Sequence, residues 1–157
     1  RALKINPAFA AASVNLALAL ERQGHRPAAL ASLVDAIART PANEHLRFLR
    51  ARLRRQAGDE GGALSDLEAL GANVEALRQR ARILARQRRF AEARECLASV
   101  GDATDADLLS LRGTVALALG QLDEAIADLQ RSIEIQPTEE ATRNLAMAMK
   151  ACDARRP

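Results

Sequence analysis

Arginines are the residues of this sequence whose type and spacing could do chemistry. Arg78, Arg82 and Arg86 recur every fourth residue, which places them on one stripe of a helix. Like charges at this spacing cost a helix about 0.2–0.5 kcal/mol per pair. A bound anion would remove that cost, because a guanidinium presents a planar fork of donors to carboxylates and phosphates. The stripe therefore predicts an anion-binding surface. The alternative is a solvated face, which is the usual explanation of a run of charges.

No group of residues predicts a catalytic or metal centre. His25 and His45 have no Cys, Asp or Glu at ligand spacing, so we assign them to surface or helix-cap positions. Cys96 and Cys152 lie far apart and form no metal or redox motif, and we interpret them as two part-buried small side chains. Phosphate-binding and dinucleotide-binding loops are also absent from the sequence. We predict no catalytic residue, no metal and no cofactor.

The composition predicts an all-α fold. Hydrophobic residues make up 48% of the 157 residues, but aromatic residues only 2%, with no Trp and no Tyr. A core of Ala, Leu, Ile and Val favours close helix packing, and helix formers dominate the whole chain. The net charge of +3 indicates little by itself. No apolar run reaches the length that spans a membrane, and we predict no membrane partner.

One segment recurs along the chain. Residues 120–137, GQLDEAIADLQRSIEIQP, share their plan with residues 24–41, GHRPAALASLVDAIARTP: Gly at the start, Ala four residues before Leu, and Pro at the end. Two weaker copies lie between them, and a companion helix precedes each copy with a small residue twelve positions before the Ala. We predict that all of these small residues are buried where helices cross: Ala17, Ala51, Ala81 and Gly113 in the companion helices, and Ala29, Ala63, Ala93 and Ala125 in the copies.

This pattern resembles the tetratricopeptide repeat family, whose 34-residue helix–turn–helix unit reads W-x2-L-G-x2-Y, then A-x3-F, then P. The first unit here reads Ser13-x2-Leu16-Ala17-x2-Leu20, then Ala29-x3-Leu33, then Pro41. The resemblance implies a right-handed α-α superhelix of antiparallel helix pairs with about four repeats and a C-terminal capping helix. The predicted divisions are 1–9 as the tail of a truncated upstream repeat, repeats at 10–43, 44–73, 74–105 and 106–138, and a capping helix with its tail at 139–157.

Two features depart from the family pattern. The second and third repeats are short and lack the closing Pro, so the joints at 71–73 and 101–105 are expected to turn differently. Arg50 and Arg54 occupy places that the pattern gives to buried Leu and Tyr. We expect their stems to snorkel along the surface, or their charges to pair with Asp66 or Glu68.

Charge is sorted between the two kinds of helix. Residues 44–57 hold five arginines against one glutamate and residues 74–89 hold six against one, whereas residues 60–70 and 122–136 each carry a net charge of −3. The resemblance implies that first helices line a concave groove, which would bring the central arginines together there. The candidate ligand-binding residues are Arg52, Arg55, Arg78, Arg82 and Arg86, with Asn15 and Asn144 where family members use asparagine to hold a peptide backbone.

Three functions are consistent with the sequence. The leading hypothesis is a protein-interaction scaffold that binds an acidic or extended peptide in an arginine-lined groove. The second is binding of RNA or another anionic polymer, against which the scarcity of aromatic side chains for base stacking argues. The third is the substrate-recognition arm of a larger enzyme, because the chain opens on Arg1 and is expected to be a piece of a longer protein.

Overall fold

The computed structural model describes residues 7–101 and 105–155, and these residues form nine α-helices and no strand. Residues 1–6, which make up most of the predicted upstream tail, lie outside the described residues, as do 102–104 and 156–157. The prediction of an all-α fold is confirmed. The helices are α1 (Pro7–Arg22), α2 (Arg26–Arg39), α3 (Glu44–Gln56), α4 (Glu60–Glu68), α5 (Val74–Arg86), α6 (Phe90–Ala98), α7 (Ala106–Ala118), α8 (Leu122–Ile135) and α9 (Glu139–Asp153).

The helices fall into two compact units, which divide the chain between Gly71 and Ala72. In the first unit α1 packs on α2 and α3 on α4, and in the second α5 packs on α6 and α7 on α8, with α9 against α8 and α7. Each pair is one predicted repeat. Helix α1 begins at Pro7, so residues 7–9, predicted to belong to an upstream tail, are part of the first helix.

Helices α3, α5, α7 and α9 begin in the same way. The side chains of Asn43, Asn73, Asp105 and Thr138 each accept a hydrogen bond from a backbone N–H in the first turn of α3, α5, α7 and α9. Such a cap satisfies a donor that has no partner inside the helix. The short polar residue before each apolar run thus fixes where these helices start.

The second helices are of two lengths. Helices α2 and α8 have 14 residues, and Pro41 and Pro137 follow shortly after their ends. Helices α4 and α6 have only nine residues, and the chain leaves them through Gly71 and Gly101 with φ of +58° and +81°. Glycine adopts this left-handed conformation without steric cost, so it ends a helix where no proline does. The turn at 71–73 therefore differs as predicted, and the turn at 101–105 differs at Gly101.

The eight small residues of the repeat pattern are all buried, as the register predicts. The closest approach is at Gly113 in α7, where an added Cβ would lie 2.7 Å from Cγ of Leu129 and 3.2 Å from the carbonyl oxygen of Ala125. The backbone of α7 therefore packs against the side chain of Leu129 in α8 at this point. A glycine is needed because any side chain would overlap Leu129.

Candidate functional site

Arg50 and Arg54 of α3 both bind one carboxylate of α4. Arg50 Nε lies 2.9 Å from Oδ2 of Asp66, and its Nη2 also donates to Oδ1. Arg54 Nη1 donates to the same Oδ2 at 2.9 Å and to the carbonyl oxygen of Gly62 at 3.0 Å. Asp66 is only 2% exposed. The predicted pairing with Asp66 is therefore present, and these two arginines point at their own second helix.

The fourth repeat contains the equivalent ion pair. Arg112 of α7 donates from Nε to Oδ2 of Asp128 at 2.5 Å and from Nη2 to Oδ1 at 2.6 Å, and Asp128 is buried in α8. Arg50 and Arg112 each directly precede the small residue of their helix. Each binds a carboxylate 16 residues further along the chain. Part of the charge sorting between first and second helices is therefore an internal salt bridge and carries no information about a ligand.

The arginine stripe of α5 faces acidic residues at the start of α7. Arg78 Nη2 lies 2.6 Å from Oδ2 of Asp105, the residue whose other oxygen caps α7 by accepting from the N–H of Leu108 at 2.8 Å. Arg82 Nη2 lies 3.2 Å from Oδ2 of Asp107. These bonds join neighbouring first helices. The repulsion along the stripe is therefore reduced by the protein's own carboxylates.

The pairs on α5 differ in how firmly they are held. The side chains of Arg82 and Asp107 are 41% and 70% exposed, so their ion pair lies in solvent. Arg78 is only 22% exposed, and its buried Nε has no hydrogen-bond acceptor within the described residues. Arg86, the third residue of the stripe, is exposed near the C-terminal end of the helix. Arg82 and Arg86 are therefore the members of the stripe that a ligand reaches most easily.

The first unit has its own arginine–glutamate contact between first helices. Arg52 Nη2 of α3 lies 2.6 Å from Oε2 of Glu21 in α1, and both side chains are partly exposed. Arg55, one turn further along α3, has no hydrogen-bond or ion-pair partner among the residues that the structure describes. Of the two predicted arginines on this helix, Arg55 is the one available to an incoming anion.

The two predicted asparagines have different surroundings. Asn15 is exposed on α1. Asn144 of α9 is half-buried and donates from Nδ2 to Oγ1 of Thr114 in α7 at 2.9 Å. Asn144 thus joins α9 to α7, and this bond uses only one of the two N–H donors of its amide.

The histidines and cysteines do not form a reactive centre. His25 and His45 are exposed at the starts of α2 and α3, and Cys96 and Cys152 are free thiols, the first buried and the second half-buried. No group of metal-ligating side chains occurs within residues 7–101 and 105–155, nor is any helix there long and apolar enough to cross a membrane.

One exposed ion pair shifts the pKa values of both of its members. At the start of α6, the hydrogen bond from Arg89 lowers the pKa of Glu92, and the same bond raises that of Arg89. This pair lies at the start of a second helix and is not part of the arginine stripe.

The helix pairs and the buried small residues agree with a known family model. The model for the tetratricopeptide repeat matches residues 14–73 and 78–140. The chain belongs to the tetratricopeptide repeat family. Tetratricopeptide repeats act generally as scaffolds for protein–protein interaction, and this is the function that membership supports for the chain. The sequence matches none of the curated proteins with which it was compared.

Solved tetratricopeptide structures share the fold at low sequence identity. A repeat protein from Parabacteroides merdae superposes with a TM-score of 0.81 at 19% identity, over 94% of this chain and 61% of that one. MamA from Desulfovibrio magneticus gives 0.72 at 15% identity, over 95% and 98%. YrrB, described as a tetratricopeptide protein with an unusual peptide-binding site, gives 0.71 at 17% identity, over 98% and 92%. This chain therefore spans less than two thirds of the first of these proteins.

Proposed function

We propose that this protein is a scaffold that binds an acidic, extended peptide on the first helices of its second unit, with Arg82 and Arg86 of α5 as the main contacts. Arg55 and Arg52 of α3 are a separate candidate contact in the first unit. The observation that carries this proposal is the exposed Arg82–Asp107 pair. A solvent-exposed ion pair contributes only about 0–1 kcal/mol, so a carboxylate of a partner replaces Asp107 at little cost.

The arrangement of the arginines favours a chain of carboxylates as the ligand over a metal ion or a small molecule. The guanidinium groups of Arg82 and Arg86, about one turn apart on one helix face, present separate planar forks, and acidic side chains of an extended chain reach them in succession. Arg78 already donates to Asp105, and its buried Nε lies 3.7 Å from Oε2 of Glu75, so Arg78 is not one of the main contacts. The peptide-binding site in the description of YrrB belongs to that protein, and it agrees with a peptide as the ligand class here.

The proposal is tested by titrating the full chain with a fluorescent peptide of alternating Glu and Ser, measured by anisotropy. Arg82→Glu should weaken binding by about tenfold or more, because it removes one attractive contact and adds a repulsive one. The matched control is Arg94→Glu, the same charge change at an exposed position of the second helix α6. Circular dichroism should show equal helicity in all three proteins.

Two results would contradict the proposal. Equal losses in both variants would mean that only net charge attracts the peptide. Tighter binding of an oligouridine RNA than of the peptide, with log affinity falling steeply and linearly with log salt, would instead support an anionic-polymer ligand.

A further inference from the structure

The turn between the two helices of a repeat has the same backbone hydrogen bonds in all four repeats. In the third repeat the N–H of Arg89 donates to the carbonyl oxygen of Leu84 at 2.9 Å, and the N–H of Arg88 donates to that of Ala85 at 3.0 Å. These two bonds define the Schellman motif, which ends a helix with one residue in the left-handed conformation. The left-handed residues of the four turns are Gly24, Gly58, Arg88 and Gly120, with φ of +80°, +83°, +60° and +75°.

Arg88 carries a side chain where the other three turns have glycine. Among the residues that the structure describes, it is the only one other than glycine with a positive φ. A side chain disfavours this conformation because its Cβ approaches the following carbonyl oxygen, whereas glycine adopts it without that contact. The third repeat therefore has a strained residue at a position where glycine would fit. Such strain is typical of functional sites.

Arg88 has no contact within the described part of the chain that explains this strain. Its side chain is exposed and has no hydrogen-bond or ion-pair partner among the described residues. The neighbouring Arg89 differs, because its guanidinium donates to both carboxylate oxygens of Glu92, at 2.7 and 2.6 Å. Of these two adjacent arginines, Arg88 is the one that is open to a carboxylate from outside.

Arg88 continues the arginine stripe past the end of α5. Arg82 and Arg86 are four residues apart on the helix, so their Cα atoms are about 6 Å apart along its axis. Two residues further on, Cα of Arg88 lies within about 7 Å of that of Arg86. Alternate side chains of an extended peptide are also about 7 Å apart, and they lie on the same side of the chain. Three acidic side chains at alternate positions therefore match the spacing of Arg82, Arg86 and Arg88.

We propose that Arg88 is a third ligand contact, and that the site selects extended peptides with three acidic residues at alternate positions. This inference rests on the proposed function, since it extends the site formed by Arg82 and Arg86. Glycine at position 88 would give a more stable turn without this contact. The arginine therefore lowers the stability of the third repeat and raises its affinity for the ligand.

The binding test uses the full chain and the labelled peptide Ser-Glu-Ser-Glu-Ser-Glu-Ser, followed by fluorescence anisotropy. Arg88→Gln should weaken binding about threefold to fivefold, because one exposed ion pair with the peptide is lost. The matched control is Arg94→Gln, the same charge change at an exposed position of α6. It should change the affinity by less than about twofold, because salt screens a charge that the peptide does not contact.

Two shortened patterns show which glutamate Arg88 binds. In one peptide the first Glu is replaced by Ser, and in the other the last Glu is replaced. For the peptide that lacks the glutamate bound by Arg88, Arg88→Gln should no longer weaken binding. Such a coupling indicates a direct contact, since a general effect of charge would act on both peptides alike.

The stability test separates strain from charge. Arg88→Gly and Arg88→Gln both remove the charge, but only Arg88→Gly removes the strained side chain. Its unfolding midpoint should be about 1–4 °C above that of Arg88→Gln. Gly58→Gln makes the opposite change at the equivalent turn of the second repeat, where an added Cβ meets no atom within 4 Å. It should lower the midpoint by a similar amount.

The outcomes distinguish this inference from the proposed function. If Arg82→Glu weakens binding while Arg88→Gln binds as Arg94→Gln does, the inference is overturned and the proposed function stands. The inference is also overturned if Arg88→Gly is no more stable than Arg88→Gln, because the strain that singles out Arg88 is then absent. If the unaltered protein does not bind the three-glutamate peptide, both are overturned.

Discussion

Arg112 and Asp128 form a two-pronged salt bridge across α7 and α8, with Nε–Oδ2 and Nη2–Oδ1 distances of 2.5 and 2.6 Å. Arg50 and Asp66 make the same contact across α3 and α4. The two pairs occupy equivalent positions in the second and fourth repeats. Each salt bridge links the two helices of one repeat. Its arginine occupies a position that the family pattern gives to an apolar residue, so the stability of the repeat depends on having both the arginine and the aspartate.

The first prediction concerns Asp66. Asp66→Asn leaves Arg50 without a counter-ion in a largely buried site and leaves Arg54 only the exposed Asp59, 3.6 Å from its Nε. Removing one partner of a buried pair costs about 3–5 kcal/mol. Asp128→Asn should cost less, because Arg112 is 30% exposed and water solvates it in part. Urea unfolding followed by circular dichroism measures both. Glu92→Gln, which breaks an exposed pair with Arg89, is the control and should cost less than about 1 kcal/mol. Equal losses in all three would mean that burial does not set the strength of these pairs.

The second prediction concerns Gly113. Alanine is about 1 kcal/mol more favourable than glycine inside a helix, but a Cβ at this position would lie 2.7 Å from Cγ of Leu129. Overpacking of this kind costs about 1–3 kcal/mol, so Gly113→Ala should lower the free energy of unfolding.

The comparison for that prediction is Gly61→Ala in α4. A Cβ at Gly61 meets no atom within 4 Å, so this substitution should be neutral or stabilising. Thermal melts of both variants decide the point. If Gly113→Ala is as stable as Gly61→Ala, Leu129 moves aside freely and the contact does not require glycine.

The repeat pattern predicted the fold because small residues, prolines and glycines respond to local geometry. The alanines at 17, 29 and 125 have to be small where two helices cross, whatever surrounds them. The functions of Arg50 and Arg78 could not be predicted in the same way, since an arginine suits a solvated face, a salt bridge or a ligand site equally well. A usable signal was nevertheless present: the 16-residue separation of Arg50 from Asp66 recurs in Arg112 and Asp128.

The candidate site was predicted only in part, for a related reason. Sequence spacing placed Arg78 and Arg82 on one stripe of α5, but it contained no information about what α7 presents to that stripe. One oxygen of Asp105 caps α7, and its other oxygen binds Arg78 across a joint of irregular length. Contacts between repeats depend on how the joint turns, and the missing proline indicated only that the turn differs.

The third prediction separates the two functions of Asp105. Asp105→Asn keeps a cap of similar strength but removes the charge that Arg78 binds, so it should cost less than about 1 kcal/mol. Asp105→Ala removes the cap as well, and loss of a cap costs about 0.5–2 kcal/mol more. Denaturant unfolding gives both values. Equal stability of the Asn and Ala variants would show that Oδ1 of Asp105 does not cap α7 in solution. For the same reason Arg78 is a poor position at which to test binding, because Arg78→Glu would place a carboxylate against this cap.

The last prediction tests whether Asp107 competes with a ligand for Arg82. Asp107 is 70% exposed, and its carboxylate has no other hydrogen-bond partner among the described residues, so Asp107→Asn should leave stability unchanged within about 0.5 kcal/mol. It frees Arg82 and removes one negative charge beside it. The affinity for a peptide of alternating Glu and Ser should therefore rise about threefold to tenfold, and the gain should shrink as salt screens the attraction. Asp123→Asn on the second helix α8 makes the same charge change at another exposed position and serves as the control. If both variants gain equally, the peptide responds to net charge alone. If Asp107→Asn binds more weakly, the carboxylate belongs to the binding site itself, and the stripe recognises a ligand that carries donors as well as acceptors.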